Sequence, residues 1–286
     1  MLKTAFLTML ALQICLDRRG FSPNAMDGQW GGKTQAALVA YCAARGIPAP
    51  KPGEEYSAFE KLFPGEPDLY TYHEVTAAEL QSLVKIPSDP ADKAALPAMG
   101  YESIREMLAE RGHVTENTLG RLNPKVDWNK VKAGDQILIP EVSPAAVGDK
   151  ANLVKVSLSK FTVTAYDAKG KTMALFPCSI AKDKSKRPPP GEIKITAYIE
   201  NPNYTYTPDW VPKGKKVARQ IFPPGPNNPV GTVWLGLSLP GYGIHGTPSP
   251  GTIGRAESHG CFRLANWNAE KLYELVRSGT RVIIEP

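Results

Sequence analysis

The chain is poor in the side chains from which metal and redox centres are usually built. Its 286 residues include only four histidines and four cysteines, and the paired spacings typical of zinc sites are missing. It also lacks an apolar run long enough to cross a bilayer, which takes about 20 residues. After Lys3 the stretch AFLTMLALQIC has the charge and apolar character of a short signal peptide, yet no small-residue cleavage site follows before Asp17-Arg18-Arg19. We read it as a helix of the folded protein, with an export signal not evident in this chain. A concentrated basic face is absent too. The net charge of +6 is spread through short runs such as 182–187 and 213–216, so nucleic acid is not an expected partner.

What little histidine and cysteine there is gathers in one place. His245, His259 and Cys261 all lie in GIHGTPSPGTIGRAESHGCFRLAN, residues 243–266. An isolated thiol has a pKa of about 8.5, so a reactive cysteine needs a nearby imidazole, and this segment offers two. Its glycines and prolines favour turns over helix, which lets loops fold the two ends together.

The ordered set His245-Gly246-Thr247, Ile253-Gly254, Ser258-His259-Gly260-Cys261, Arg263-Leu264 and Asn266 resembles the signature of L,D-transpeptidases with a YkuD-type catalytic domain. Phe262 departs from that pattern, where a smaller aliphatic residue is more usual, and altered packing behind the cysteine is the expected consequence. The resemblance implies Cys261 as nucleophile and His245 as general base, its ring oriented by the Gly246 carbonyl. The Gly260 and Cys261 N–H groups are candidates for the oxyanion hole. His259 falls on the thiol's side of an extended chain and is expected to shape the pocket. Arg263 is suited to bidentate pairing with a substrate carboxylate, and Ser258, Tyr242 and Asn266 complete the expected substrate contacts.

The implied reaction is thioester formation on a peptidoglycan tetrapeptide stem with release of D-alanine, then transfer to an amine. That amine belongs to a second stem, giving a 3→3 cross-link, or to a wall-anchored protein. Stem peptides and glycan strands are the implied partners, the periplasm or cell envelope the implied location, and neither metal nor organic cofactor is called for. Other readings stay open: an L,D-carboxypeptidase, a non-catalytic wall-binding scaffold, and a zinc site using His245, His259 and Cys261. A papain-like protease fits by chemistry alone, but its local cysteine pattern is absent.

The 27 prolines and 25 glycines divide the chain. Proline clusters at 47–52 and 87–97 read as linkers, and the one at 188–190 as a loop near the site. The expected class is multidomain α+β: a small helical domain at 1–63, a linker at 64–97, a LysM-like α+β module at 98–143, and a mainly-β, sandwich or barrel-like L,D-transpeptidase catalytic domain at 150–286. In the first, LQICLDRRGFSPNAMDGQWGGKTQAAL resembles a three-helix peptidoglycan-binding domain through Asp27, Gly28, Trp30, Gly31, Thr34, Ala37 and Leu38. A turn and a small core account for the same residues. Helices are expected at 4–19, 33–45 and 56–63, with Cys15 and Cys42 forming either a disulfide or two buried thiols.

In the third segment, Asn123-Pro124, Ala133-Gly134-Asp135 and Ile137-Leu138-Ile139-Pro140 resemble a LysM module, which binds N-acetylglucosamine polymers, although its first strand is poorly marked. Leu122, Trp128 and Ile137 read as core, His113 as structural and His73 as a surface residue on a short strand. Beyond Asn152, strands alternate with turns such as Asp167-Ala168-Lys169-Gly170. Cys178 reads as a small buried residue. KRPPPGEIKITAYIENPNYTYTP resembles the family's proline-glycine loop without its threonines. A helix at 267–278, stopped by Gly279, precedes RVIIE, expected as an edge strand.

Overall fold

A computed structural model describes residues 2–51, 53–66, 68–143, 148–207, 219–258 and 260–286. Three helices open the chain: α1 (Leu2–Arg18), α2 (Gly32–Arg45) and α3 (Glu55–Leu62). Helix α1 carries apolar residues on two faces because both are buried. Phe6, Leu10 and Ile14 enter one core cluster, and Met9, Leu12, Cys15 and Leu16 enter another. Each such side chain contributes about 1.5–3 kcal/mol when fully buried, which accounts for the signal-like run as core. Trp30 packs at the edge of the second cluster. All four cysteines are free, and Cys15 and Cys42 sit in that same cluster as buried thiols.

A second unit follows: β1 (Tyr70–Glu74), α4 (Ala77–Gln81), α5 (Pro90–Ala94), α6 (Ile104–Arg111), α7 (Glu116–Leu122) and β2 (Gln136–Pro140). The segment 64–97, expected as linker, therefore contributes a strand, and β1 pairs antiparallel with β2 from Tyr70–Pro140 to Glu74–Gln136. Helix α6 starts cleanly because the Ser103 hydroxyl accepts from the Glu106 N–H, an N-cap worth about 1 kcal/mol. Ile104, Leu108, Leu119, Ile137 and Ile139 close the unit's core, with Leu122 and Trp128 against it. His73 pairs with Glu79 at 3.0 Å. His113 follows α6 with φ +52, its Nδ1 2.7 Å from Asp17 Oδ2 and its ring stacked on Trp267.

The remaining strands are β3 (Leu153–Ser157), β4 (Thr162–Tyr166), β5 (Thr172–Pro177), β6 (Ile180–Ala181), β7 (Gly191–Glu200), β8 (Tyr204–Tyr206), β9 (Gln220–Phe222), β10 (Val233–Leu237), β11 (Gly243–His245), β12 (Ala256–Ser258) and β13 (Phe262–Arg263). After them come α8 (Asn266–Leu275) and β14 (Arg281–Glu285). Eight strands form one curled mixed sheet in the order β13-β11-β10-β7-β14-β3-β4-β5, and with the helices before and beside it the chain is mixed α+β. RVIIE is not an edge strand. β14 lies inside the sheet, parallel to β3 and antiparallel to β7, with Val282 and Ile284 buried. Helix α8 carries the chain from β13, at one edge, to this inner place, whereas the same five residues read in isolation fit either place. The edge at β5 is covered by residues 20–22, which exchange backbone hydrogen bonds with Leu175.

Candidate active site

The sheet's other end carries the rare residues. β11 and β13 pair in parallel, Ile244 opposite Phe262 and His245 opposite Arg263, so the two ends of the 243–266 segment lie side by side. Between them run a 3-10 turn at Pro250–Thr252 and β12, which pairs with β6. Phe262, Leu264 and Ile244 are fully buried in the sheet core. The unusual Phe262, next in sequence to Cys261, thus packs into the sheet core.

Cys261 is half-buried, and its thiol donates to the Gly241 carbonyl at 3.6 Å. Burial raises its pKa above the ordinary thiol value, opposed by a hydrogen bond from the Gly243 backbone. Gly243 has to be glycine: a Cβ there would stand 2.6 Å from the Trp234 indole. Trp234, opposite His245 in the β10–β11 register, also stacks on the imidazole at 5.4 Å between centroids.

His245 is 6% exposed. Its Nδ1 lies 2.6 Å from the Gly246 carbonyl oxygen, and a carbonyl only accepts, so Nδ1 carries the proton and Nε2 holds the free lone pair. Burial lowers the imidazole pKa to about 4, the Gly246 bond opposes the fall, and the nearby Arg263 charge adds to it. At pH 7 the ring is neutral. Near neutrality the site therefore holds a thiol and a neutral imidazole, not a preformed thiolate–imidazolium pair.

Arg263 is half-buried, and its Nε and Nη2 have no hydrogen-bond partner among the described residues. Glu257 is 3.8 Å from Nη2. Leaving buried donors unpaired costs about 1–3 kcal/mol. Ser258 donates its hydroxyl to the Cys261 carbonyl at 2.6 Å and lies 3.4 Å from the Gly260 N–H; it clamps the turn before the cysteine. Tyr242 donates to the Lys186 carbonyl at 3.1 Å, tying the 184–190 loop to the site. His259 and the basic run 213–216 lie outside the described residues.

Asn266 departs from expectation. It is 1% exposed and points inward: its Oδ1 accepts from the Thr247 N–H, and its Nδ2 donates to Glu110 Oε1 and to the Pro226 carbonyl. Neither Glu110, 156 positions away, nor Trp234 was singled out by the sequence. Glu110 left no local signal, and Trp234 none beyond its place in the apolar stretch VWLGL. Cys178 is fully buried, and burial pushes its thiol pKa far up.

Residues 151–284 match the YkuD family, the L,D-transpeptidase catalytic domain. A putative L,D-transpeptidase YkuD of Bacillus licheniformis is 32% identical over 182 residues, 63% of this chain and 93% of that protein. A putative L,D-transpeptidase from the ATP synthase subunits region of Fuscovulum blasticum is 39% identical over 126 residues, 41% of this chain and 60% of that one. An L,D-transpeptidase structure from Mycobacterium smegmatis, 20% identical, covers 53% of this chain and 66% of its own at a TM-score of 0.37. On the strength of its 32% identity across nearly the whole of the first of these, the chain belongs to the L,D-transpeptidase family.

Proposed function

We propose that the chain is a cysteine-dependent peptidoglycan L,D-transpeptidase with Cys261 as nucleophile. The observation that supports this best is the β11–β13 pairing, which sets Cys261 beside the strand of a neutral His245 and an unsatisfied Arg263. In the donor step the Cys261 Sγ attacks the carbonyl on the L-centre of diaminopimelate while its proton passes to His245 Nε2. Because the thiol is protonated at rest, proton transfer accompanies attack. Backbone N–H groups at Gly260 and Cys261 receive the oxyanion. Collapse breaks the bond to D-alanine, whose amine takes the proton from His245, and a thioester remains.

An acceptor amine then attacks the thioester, giving its proton to His245, and Cys261 is regenerated as the thiol. A second stem as acceptor yields a 3→3 cross-link and a lysine yields protein attachment; water would make the enzyme an L,D-carboxypeptidase. Arg263 holds a stem carboxylate. His259 shapes the same pocket, with Ser258 and Tyr242 supporting it.

The N-terminal regions fit wall binding. Residues 1–63 are read as a peptidoglycan-binding-like helical domain, and residues 98–143 as a LysM-like module. Tethering raises the local concentration of polymer at the site without tight affinity in either part. Such a protein works in the periplasm or cell envelope. Among the described residues no helix is long and apolar enough to cross a membrane.

A carbapenem, whose strained lactam opens on a nucleophile, tests the acyl site by intact mass. Wild type is expected to gain one covalent adduct and Cys261→Ala none, with cross-linked muropeptide product lost in the same variant. Unchanged biological activity of Cys261→Ala, with wall binding retained, would instead favour the non-catalytic scaffold reading.

A further inference from the structure

We propose that Glu110, on α6 of the second unit, is a positioning residue for the base of the acyl-transfer site: it holds the Asn266 amide that fixes the Gly246–Thr247 peptide and, through it, the His245 ring. This rests on the reading of His245 as base.

The argument starts from one peptide plane. The Gly246 C=O and the Thr247 N–H belong to the same rigid trans unit and point in opposite directions. At one end the carbonyl accepts from His245 Nδ1 at 2.6 Å, and at the other the N–H donates to Asn266 Oδ1 at 2.9 Å. Gly246 packs so closely on that side-chain amide that a Cβ would collide with Oδ1. Any turn of the Asn266 side chain therefore rotates the plane that selects the His245 tautomer and aims its Nε2.

What stops Asn266 turning is the set of partners at its other end. Nδ2 donates to Glu110 Oε1 at 2.9 Å and to the Pro226 carbonyl at 3.1 Å. Two acceptors face the amide nitrogen and one donor faces its oxygen, so a flipped amide would oppose all three. Both acceptors depend on the second unit. Glu110 belongs to it and also accepts from the Tyr101 hydroxyl at 3.2 Å. The segment carrying Pro226 is fastened to it on both sides: Met99 N–H donates to the Pro224 carbonyl, Asn227 N–H to the Met99 carbonyl, and Asn227 Nδ2 to the Gly100 carbonyl and Glu106 Oε1. The second unit is thus a structural part of the site, beyond any role as a tether.

The test uses the full chain with Glu110→Gln, Glu110→Ala and the near-isosteric Glu110→Met. The first readout is carbapenem acylation of Cys261, resolved into its limiting rate and half-saturation concentration. The second is the ¹⁵N signature of the His245 ring, assigned by comparison with His245→Gln. Gln keeps an acceptor oxygen, so Glu110→Gln is expected within about 2-fold of wild type with the Nδ1–H tautomer intact. Ala and Met are expected to lower the limiting rate about 10-fold at unchanged half-saturation, with loss of the single tautomer; this is the range in which positioning errors act. Wild-type rates and tautomer in a folded Met or Ala variant would overturn the proposal, as would losses in Gln equal to those in Met. If wild type takes no adduct at all, the acyl-transfer reading fails, and the ring signature still decides whether Glu110 orients His245.

Discussion

The two arms of the site are held by different forces. The Cys261 arm is fixed from behind by apolar packing, since Phe262 and Leu264 are fully buried in the core of their own sheet. The His245 arm is fixed by hydrogen bonds that run through Gly246, Thr247 and Asn266 to a carboxylate of another unit. Apolar packing is indifferent to pH and needs nothing beyond the sheet. A hydrogen-bonded chain ending on a glutamate responds to ionisation and to docking of the second unit. The nucleophile therefore has a permanent support and the base a conditional one.

The largest effect should come from breaking the apolar arm. Phe262→Ala removes a fully buried aromatic side chain, and such changes typically cost about 3–5 kcal/mol. Chemical denaturation is expected to show a loss of that order that stays the same across neutral pH. A loss that varied strongly with pH would mean that the two arms are not independent in the way their supports suggest.

Next is the polar arm. Burial pushes the Glu110 carboxyl up to about 7 from an ordinary value of 4.5, with Glu270 and Glu106 adding to the rise and the Asn266 and Tyr101 hydrogen bonds opposing it. Between those values the folded protein holds a proton that the unfolded chain has released, so this group's contribution to stability falls as pH rises from 4.5 to 7. Glu110→Gln removes that slope. The variant is expected to match wild type near pH 4.5 and to exceed it above pH 7 by on the order of 3 kcal/mol. His245 acts in the opposite sense. Its folded pKa of about 4 lies below the ordinary 6.5, so its contribution is complete above 6.5 and is lost as pH falls toward 4. A constant difference between Glu110→Gln and wild type over pH 4.5–8 would show that the carboxyl is not perturbed.

These two supports were not equally readable from the chain. The apolar arm was legible because its residues are contiguous with the signature, and Phe262 stood out beside Cys261. The rarity of histidine and cysteine marked the reacting groups, and alternation with turn residues marked most strands. The polar arm was not legible. Asn266 reads as a substrate contact when only its neighbours in sequence are visible, and its role depends on Glu110, a helix residue with no local peculiarity. The same limit explains β14, whose place inside the sheet depends on pairing with β3 and β7, and β1, whose partner lies more than sixty residues on.

The smallest effect concerns the contact where the two arms meet. The Trp234 indole lies over Gly243 and stacks on His245, while the Gly243 backbone donates to the Cys261 thiol. Gly243→Ala would drive its Cβ into the six-membered half of that indole, and overpacking of this kind costs about 1–3 kcal/mol. Trp234→Phe removes part of the bulk that clashes and keeps an aromatic face for His245, so alone it should cost little. Combined, the two should recover part of the Gly243→Ala loss, a coupling of about 1 kcal/mol in a double-mutant cycle read by denaturation. Strict additivity would place the indole clear of Gly243. Recovery of stability together with carbapenem acylation would show that Trp234 serves both arms by filling space, and recovery of stability alone would show that the indole itself is needed over the His245 ring.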